Sequence, residues 1–304
     1  MPSKLGTNGK RKANSMELID FSNCKEKINI YKGSEKKKTL IYNQKQYLVK
    51  FPDPVREKNK CISYINNAYS EYIGSKIFES IEFKTQNVLL GYYNFSGKEK
   101  IVCACEDFTD ENNILYEFEN FTISSVDKKI ETEISDIIEV LSQNSNIINV
   151  EKTINEFWKM FIVDCLIGNT DRHNGNWGFI ANEELNILTF APIYDCGSCL
   201  SPLLDEEEIE KKIRNETEIK NIALNTYSCL KEENKKISYY NYITSLKNKE
   251  CNKALAEIFP KIDMEKINLI IDEIDCITET RKNFYKKVIH YRYTQILDKT
   301  YKRL

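Results

Sequence analysis

The stretch FIVDCLIGNTDRHNGNWGF, Phe161 to Phe179, runs from an apolar segment straight into a loop of unusual polarity. From Gly168 to Phe179 that loop carries Asp171, Arg172, one of the chain's two histidines, three Asn and three Gly. Ile154, Phe157, Trp158, Phe161, Ile162 and Cys165 recur at helical spacing before it, which predicts a buried helix leading into the loop. Asp164, one turn before the loop, is a carboxylate in an apolar helix, so it needs a partner and reads as a brace for the loop. After the loop, ILTFAPIYDCGS reads as a strand-like run ending at Asp195.

Upstream, INIYKG, TLIYN and QYLVKF are short runs of β-branched and aromatic residues, with GSEKKK and NQK as their connections. Ile62, Ile65, Tyr69, Ile73 and Ile77 predict an amphipathic helix over 62–81, and NVLLGYY with EKIVCACEDF predicts a second hairpin. Residues 1–27 are expected to be a poorly ordered lead-in, and 28–108 a β-rich lobe with one helix. Residues 109–304 are expected to form a mainly helical lobe with a helical carboxyl-terminal extension. Within it, Asp263 is a candidate N-cap for a helix presenting Ile267, Ile270, Ile271, Ile274 and Ile277. The fold class is therefore α+β, a bilobal molecule β-rich first and mainly helical second, and ligand sites favour the crevice between such lobes.

Composition narrows the function classes. A net charge of −2 gives no overall case for nucleic-acid binding. No apolar run reaches the roughly 20 residues a membrane-spanning helix needs, and the amino terminus lacks the apolar stretch of a secretory leader, so a cytoplasmic protein is expected. The ten cysteines are scattered, several within apolar runs, where they act as small buried hydrophobes. DCGSC holds one C-x-x-C, the spacing of a redox pair or half a zinc site, and it has no second pair at zinc-finger spacing. The acidic run from Asp205 to Glu210 reads as the first turn of a solvated helix.

Phosphoryl transfer needs a phosphate cradle, a cation, oxygen ligands for magnesium and a carboxylate that orients the attacking hydroxyl. Asp171, followed five positions later by Asn176, fits a catalytic loop in which the first accepts the hydroxyl proton and the second binds metal. Asp195 would face the same magnesium. Lys50 shares one face of QYLVKF with Leu48, opposite Tyr47, Val49 and Phe51, and can reach the α- and β-phosphates of ATP. Glu71 in the following helix is its candidate partner. The turn KGSEKKK could present Gly33, Ser34 and Lys37 to the phosphates, and the backbone around Glu106, Asp107 and Phe108 could meet the adenine edge.

These segments, YKGSEKKK, YLVKF, SEYI, ACEDF, FIVDCLIGNTDRHNGNWGF and APIYDCGSCL, resemble the HipA-like kinases, in particular the compact CtkA-type members that carry a kinase domain and little else. The resemblance spans roughly residues 28 to 204. It implies that Asp171 is the catalytic base, that Asn176 and Asp195 ligate Mg2+, that Lys50 holds the phosphates and that His173 lies against the nucleotide. It further implies a protein substrate presenting Ser or Thr, and autophosphorylation in the loop over the nucleotide, where Ser34 is the matching position. Longer members carry an additional amino-terminal segment and pair with a DNA-binding antitoxin. Without that segment, such a partner is not expected here.

Three other readings compete. DRHNGN also looks like the catalytic loop of lipid kinases, which suggests a phosphoinositide-like or small-molecule kinase, but the residues after Asp195 are acidic where lipid kinases use basic ones to meet the headgroup. A nucleotide-binding adaptor without activity would commonly lack the base or a metal ligand. His173 with Asp171 suggests a hydrolase, but no nucleophile elbow accompanies it. Whether Arg172 anchors the loop or a substrate phosphate is left open by the residues alone.

Overall fold

Strand alternation decides which way the key lysine points. In the computed structural model, which describes residues 16–28, 37–52, 65–95, 97–123, 128–129 and 131–304, Tyr47, Val49 and Phe51 are buried on one face of their strand with Phe21, Leu40, Val102 and Ala104. Lys50 lies on the other face, the one that Cys103 and Cys105 present to the first helix.

The strands are β1 (Ile19–Asp20), β2 (Lys25–Lys27), β3 (Lys37–Tyr42) and β4 (Lys45–Lys50), followed by α1 (Asn67–Ser80), β5 (Val88–Phe95) and β6 (Lys98–Glu106). Among the described residues they form one sheet in the order β1-β5-β6-β4-β3-β2. The β3–β4 turn is two residues long, with Asn43 at φ 46° and Gln44 at φ 66°, the left-handed pair that suits the twist of a tight hairpin. Sheet and helix together make the predicted first lobe.

The lead-in expectation needs correction. Within residues 16–27, Ile19–Asp20 and Lys25–Lys27 belong to the sheet: β1 pairs in parallel with Gly91 and Tyr92, β2 pairs with β3, and Phe21 between them is fully buried. Strands of two and three residues are too short to show a period. Gly91 marks the contact, because a Cβ there would lie 2.2 Å from the Ile19 carbonyl oxygen and 2.5 Å from the Phe21 ring. Residues 1–15 lie outside the described residues, as do Gly33, Ser34 and most of the predicted INIYKG strand.

The second lobe begins with β7 (Asn113–Glu117) and a short ribbon, β8 (Thr122–Ile123) with β9 (Lys128–Lys129). Helices α2 (Ile134–Gln143) and α3 (Val150–Ile167) precede the hairpin β10 (Gly178–Asn182) and β11 (Ile187–Phe190), which pairs with β7. Then come α4 (Glu206–Ile213), α5 (Glu216–Leu224), the hairpin β12 (Tyr227–Glu232) and β13 (Lys235–Ser238), α6 (Tyr239–Thr244), α7 (Lys249–Ile258), α8 (Met264–Asp272), α9 (Glu279–Arg292) and α10 (Lys299–Tyr301). The main core is built around α3, whose residues from Phe157 to Ile167 are nearly all buried. No helix among the described residues is long and apolar enough to cross a membrane.

Two boundaries differ from the sequence reading. β11 stops at Phe190, two residues before Pro192, which has no N–H to continue a ladder. Asp195 therefore sits in a turn at φ 56°, not in a strand. Helix α8 is capped as expected, Asp263 accepting from the backbone N–H groups of Glu265 and Lys266, but it ends at Asp272, so Ile274 and Ile277 pack from the link to α9. Asp205 and Glu208 form a reciprocal capping box at the start of α4, as the acidic run suggests.

Candidate active site

Helix α3 delivers the polar loop through a glycine. Gly168 ends the helix at φ 68°, and the N–H groups of Gly168 and Asn169 return to the carbonyls of Cys165 and Asp164. A Cβ on Gly168 would lie 2.3 Å from the Arg292 guanidinium, so the end of α9 is pressed against the entry to the loop. Burial pulls the Arg292 pKa down to about 10.

A buried network then fixes the loop. Arg172 forks onto Asp164, with Nε to Oδ2 and Nη2 to Oδ1 both 3.0 Å. Asn169 donates to the same carboxylate and accepts from the Asp171 N–H at 3.1 Å, while Tyr239 donates its hydroxyl to the Asn169 carbonyl at 2.7 Å. The remaining Arg172 nitrogen, Nη1, donates to the backbone carbonyls of Asn176 (2.8 Å), Tyr194 and Asp195 (3.2 Å). Arg172 thus anchors the protein's own loops, and the turns holding Asn176 and Asp195 meet at a single nitrogen. Within the loop, Asn176 donates Nδ2 to the Asp171 carbonyl at 2.7 Å, and the Gly175 N–H donates to Nδ1 of His173 at 3.0 Å.

From the first lobe, Lys50 Nζ reaches both Oε2 of Glu71 and Oδ1 of Asp195 at 2.8 Å. Glu71 is fully buried, and its other oxygen accepts from the Cys196 N–H at 3.0 Å. Lys37 stands directly opposite Lys50 across β3 and β4, so it shares the same face of the sheet. Burial works to raise the Asp195 pKa, but the charge and hydrogen bond of Lys50 outweigh it and hold the carboxyl below its usual range. Asp171 is shifted the other way. Burial raises it, Asp195 adds to the rise, and the charges of His173, Arg172 and Lys236 only partly oppose.

The segment between the lobes is more committed than its sequence suggests. The Glu106 N–H donates to Asn87 and the Asp107 N–H to Gln46, each at 2.8 Å, and the Glu106 carbonyl accepts from Gln86. The Glu106 carboxylate is held by Lys45, Tyr47 and Asn87. These two N–H groups and the Glu106 carbonyl are thus already bonded within the protein, among the backbone groups around Glu106, Asp107 and Phe108 expected to meet the adenine edge. Phe108 leans on Tyr194 with ring centroids 6.0 Å apart. The C-x-x-C is also structural: Cys196 and Cys199 are buried free thiols, with burial pushing the Cys196 pKa up to about 12 and the Cys199 pKa well above its ordinary value.

A sheet lysine bridged to a helix glutamate and a loop aspartate, above an Asp-to-Asn loop, defines a protein-kinase-like phosphotransferase. Residues 25–274 match the family described as the HipA-like C-terminal domain. The chain is 39% identical over 297 residues to the serine/threonine-protein kinase CtkA of Helicobacter pylori strain J99, covering 95% of this chain and 89% of that one. The crystal structure of a Helicobacter pylori proinflammatory kinase CtkA matches with a TM-score of 0.83 at 36% identity, over 94% of this chain and 98% of that one. A Shewanella oneidensis HipA, solved with HipB and operator DNA, shares the fold at a TM-score of 0.50 and 14% identity, over 91% and 67% of the two chains. The chain belongs to the HipA-like family and is a serine/threonine-protein kinase.

Proposed function

We propose that this kinase transfers the γ-phosphoryl of magnesium-bound ATP to a Ser or Thr hydroxyl of a protein. The observation that carries the reading is the Lys50 ammonium, held 2.8 Å from both Glu71 and Asp195 where the two lobes meet. A lysine so fixed presents a positioned cation to the α- and β-phosphates without first having to be ordered. Asp171 would take the proton of the acceptor hydroxyl. Asn176 spends its amide nitrogen on the Asp171 carbonyl, which turns its amide oxygen away from that bond, and the Asp195 side chain is 37% exposed. An amide oxygen and a carboxylate are the donors a hard divalent cation takes, so these residues fit Mg2+. Bound there, the ion would neutralise phosphate charge.

A protein acceptor suits the surroundings better than an anionic lipid. After Asp195 the chain leads into α4, whose cap and first turn carry Asp205, Glu206, Glu207 and Glu208. Four carboxylates there would repel a negative headgroup. His173 against the nucleotide, Phe108 beside the adenine, and Lys37 with Gly33 and Ser34 over the phosphates belong to the same proposal, as does autophosphorylation at Ser34. Purified protein incubated with magnesium and labelled ATP, followed by peptide mass mapping, tests them together. Transfer that is abolished in Asp171→Ala with the fold retained is expected, and transfer undiminished in that variant would refute the assignment.

A further inference from the structure

The cations around Asp171 are unequally committed. Arg172 is buried and spent on Asp164 and three backbone carbonyls, and Lys50 is spent on Glu71 and Asp195. Lys236, on β13, is exposed and makes no ion pair among the described residues. Its direction follows from register. Lys231 and Lys236 stand opposite each other across the β12–β13 hairpin and so share a face.

The hairpin docks beside the catalytic loop. The Lys231 ammonium lies 3.4 Å from the Glu131 carboxylate, and the Glu131 carbonyl accepts from Asn174 of the loop at 3.0 Å. The hairpin is tied in a second time just after Lys236, where the Tyr239 hydroxyl donates to the Asn169 carbonyl. Consistently, the charge of Lys236 is felt at the Asp171 carboxyl. The hairpin therefore holds an uncommitted cation beside the catalytic loop, on the second lobe, whereas Lys50 comes from the first.

Phosphoryl transfer spreads negative charge over three equatorial oxygens of the group in transit, and cations aimed at them lower the barrier. Resting on the kinase reading above, we propose that Lys236 is a further catalytic residue, whose ammonium meets the non-bridging oxygens of the phosphoryl group as it passes to the acceptor. In that step the acceptor oxygen bonds to the γ-phosphorus, and the bond from that phosphorus to the bridging oxygen breaks. The bond's electron pair stays with the departing ADP, and the hydroxyl proton goes to the Asp171 carboxylate. Lys236 donates hydrogen bonds throughout and neither gains nor loses a proton.

The test is steady-state transfer from ATP to a Ser-containing protein acceptor by wild type, Lys236→Met and Lys236→Arg. The expected result is a kcat about 10²-fold lower in Lys236→Met, with the KM values for ATP and acceptor within about 3-fold of wild type. Lys236→Arg, which keeps the charge, is expected to recover most of the loss, while circular dichroism shows all three equally folded. An active wild type with an equally active Lys236→Met overturns this role alone, as does a variant that raises only the acceptor KM, because that pattern belongs to a docking cation. A wild type that moves no phosphate overturns both this role and the kinase reading.

Discussion

Arg172 and Asp164 meet as a two-point pair inside the protein, with each carboxylate oxygen 3.0 Å from its own guanidinium nitrogen and both side chains almost fully buried. The pair positions without touching substrate. Its free nitrogen gathers the carbonyls of Asn176, Tyr194 and Asp195, so the two turns that carry the candidate metal ligands are set by one planar group.

Lysine cannot reproduce that fork, since a single ammonium lacks the parallel donors. Arg172→Met and Asp164→Asn are each expected to cost about 3–5 kcal/mol, because each leaves a buried charge without its partner. Joined in one protein they are expected to cost well under the sum, since the second change removes the charge the first one orphaned. Urea denaturation of the three variants measures this, and additive losses would mean the two residues act independently.

Glu71 separates holding the lysine from supplying it. Glu71→Gln keeps the shape and the acceptor for the Cys196 N–H but removes one of the two charges that fix Lys50. Its kcat/KM for ATP is expected to fall about 10-fold. Lys50→Met, which deletes the cation itself, is expected to lower it by about 10²-fold or more. Initial rates across an ATP series distinguish the two, and a Glu71→Gln as damaged as Lys50→Met would show that the carboxylate does more than hold the lysine.

Much of this site can be read from the chain because its parts obey local rules. Alternation in QYLVKF puts Lys50 opposite Tyr47 and Val49, and the helical stripe of α3 predicts where the polar loop begins. Asp164 needs a partner on burial grounds alone. Its partner cannot be deduced the same way, since the fork with Arg172 depends on how tightly the loop folds back over eight residues. The strands Ile19–Asp20 and Lys25–Lys27 are hidden for another reason: they are short, and β1 pairs with residues about seventy positions away. Arg292 behind Gly168 is the same kind of contact, long in sequence and visible only once α9 is docked. The one local hint was the glycine, at the place where an αL cap is needed.

Gly168 therefore makes two demands that any other residue violates. At φ 68° an L side chain costs about 1–2 kcal/mol in backbone strain, and its Cβ would strike the Arg292 guanidinium. Gly168→Ala is expected to lower stability by more than that strain alone and to lower kcat, because Asn169 and Asp171 follow directly. Thermal unfolding and turnover should fall together, and a stable variant with normal turnover would break the link drawn from α9 to the loop.

The two aspartates of the site are expected to respond with opposite signs to the same substitution. The Asp171 pKa is raised by burial, so its folded form prefers the proton. Its ionisation therefore costs stability as pH rises through the window between the unfolded value and the raised one. The Asp195 pKa is held down by Lys50, so its charge adds stability above the unfolded value, and that contribution is lost as pH falls through the lowered one. At neutral pH, Asp171→Asn should then raise Tm while abolishing transfer, and Asp195→Asn should lower Tm while abolishing transfer. Backbone strain does not confuse the comparison, because Asn tolerates the φ of 56° at position 195 at least as well as Asp. Both differences in Tm should shrink in strong acid, where each aspartate is protonated in both states. The raised pKa also sets activity: as the base must be ionised, kcat/KM should fall on acidification at a higher pH than an ordinary aspartate would impose. Shifts in Tm of the same sign for the two variants would show that these carboxylates are not divided between a half-buried base and a lysine-paired ligand.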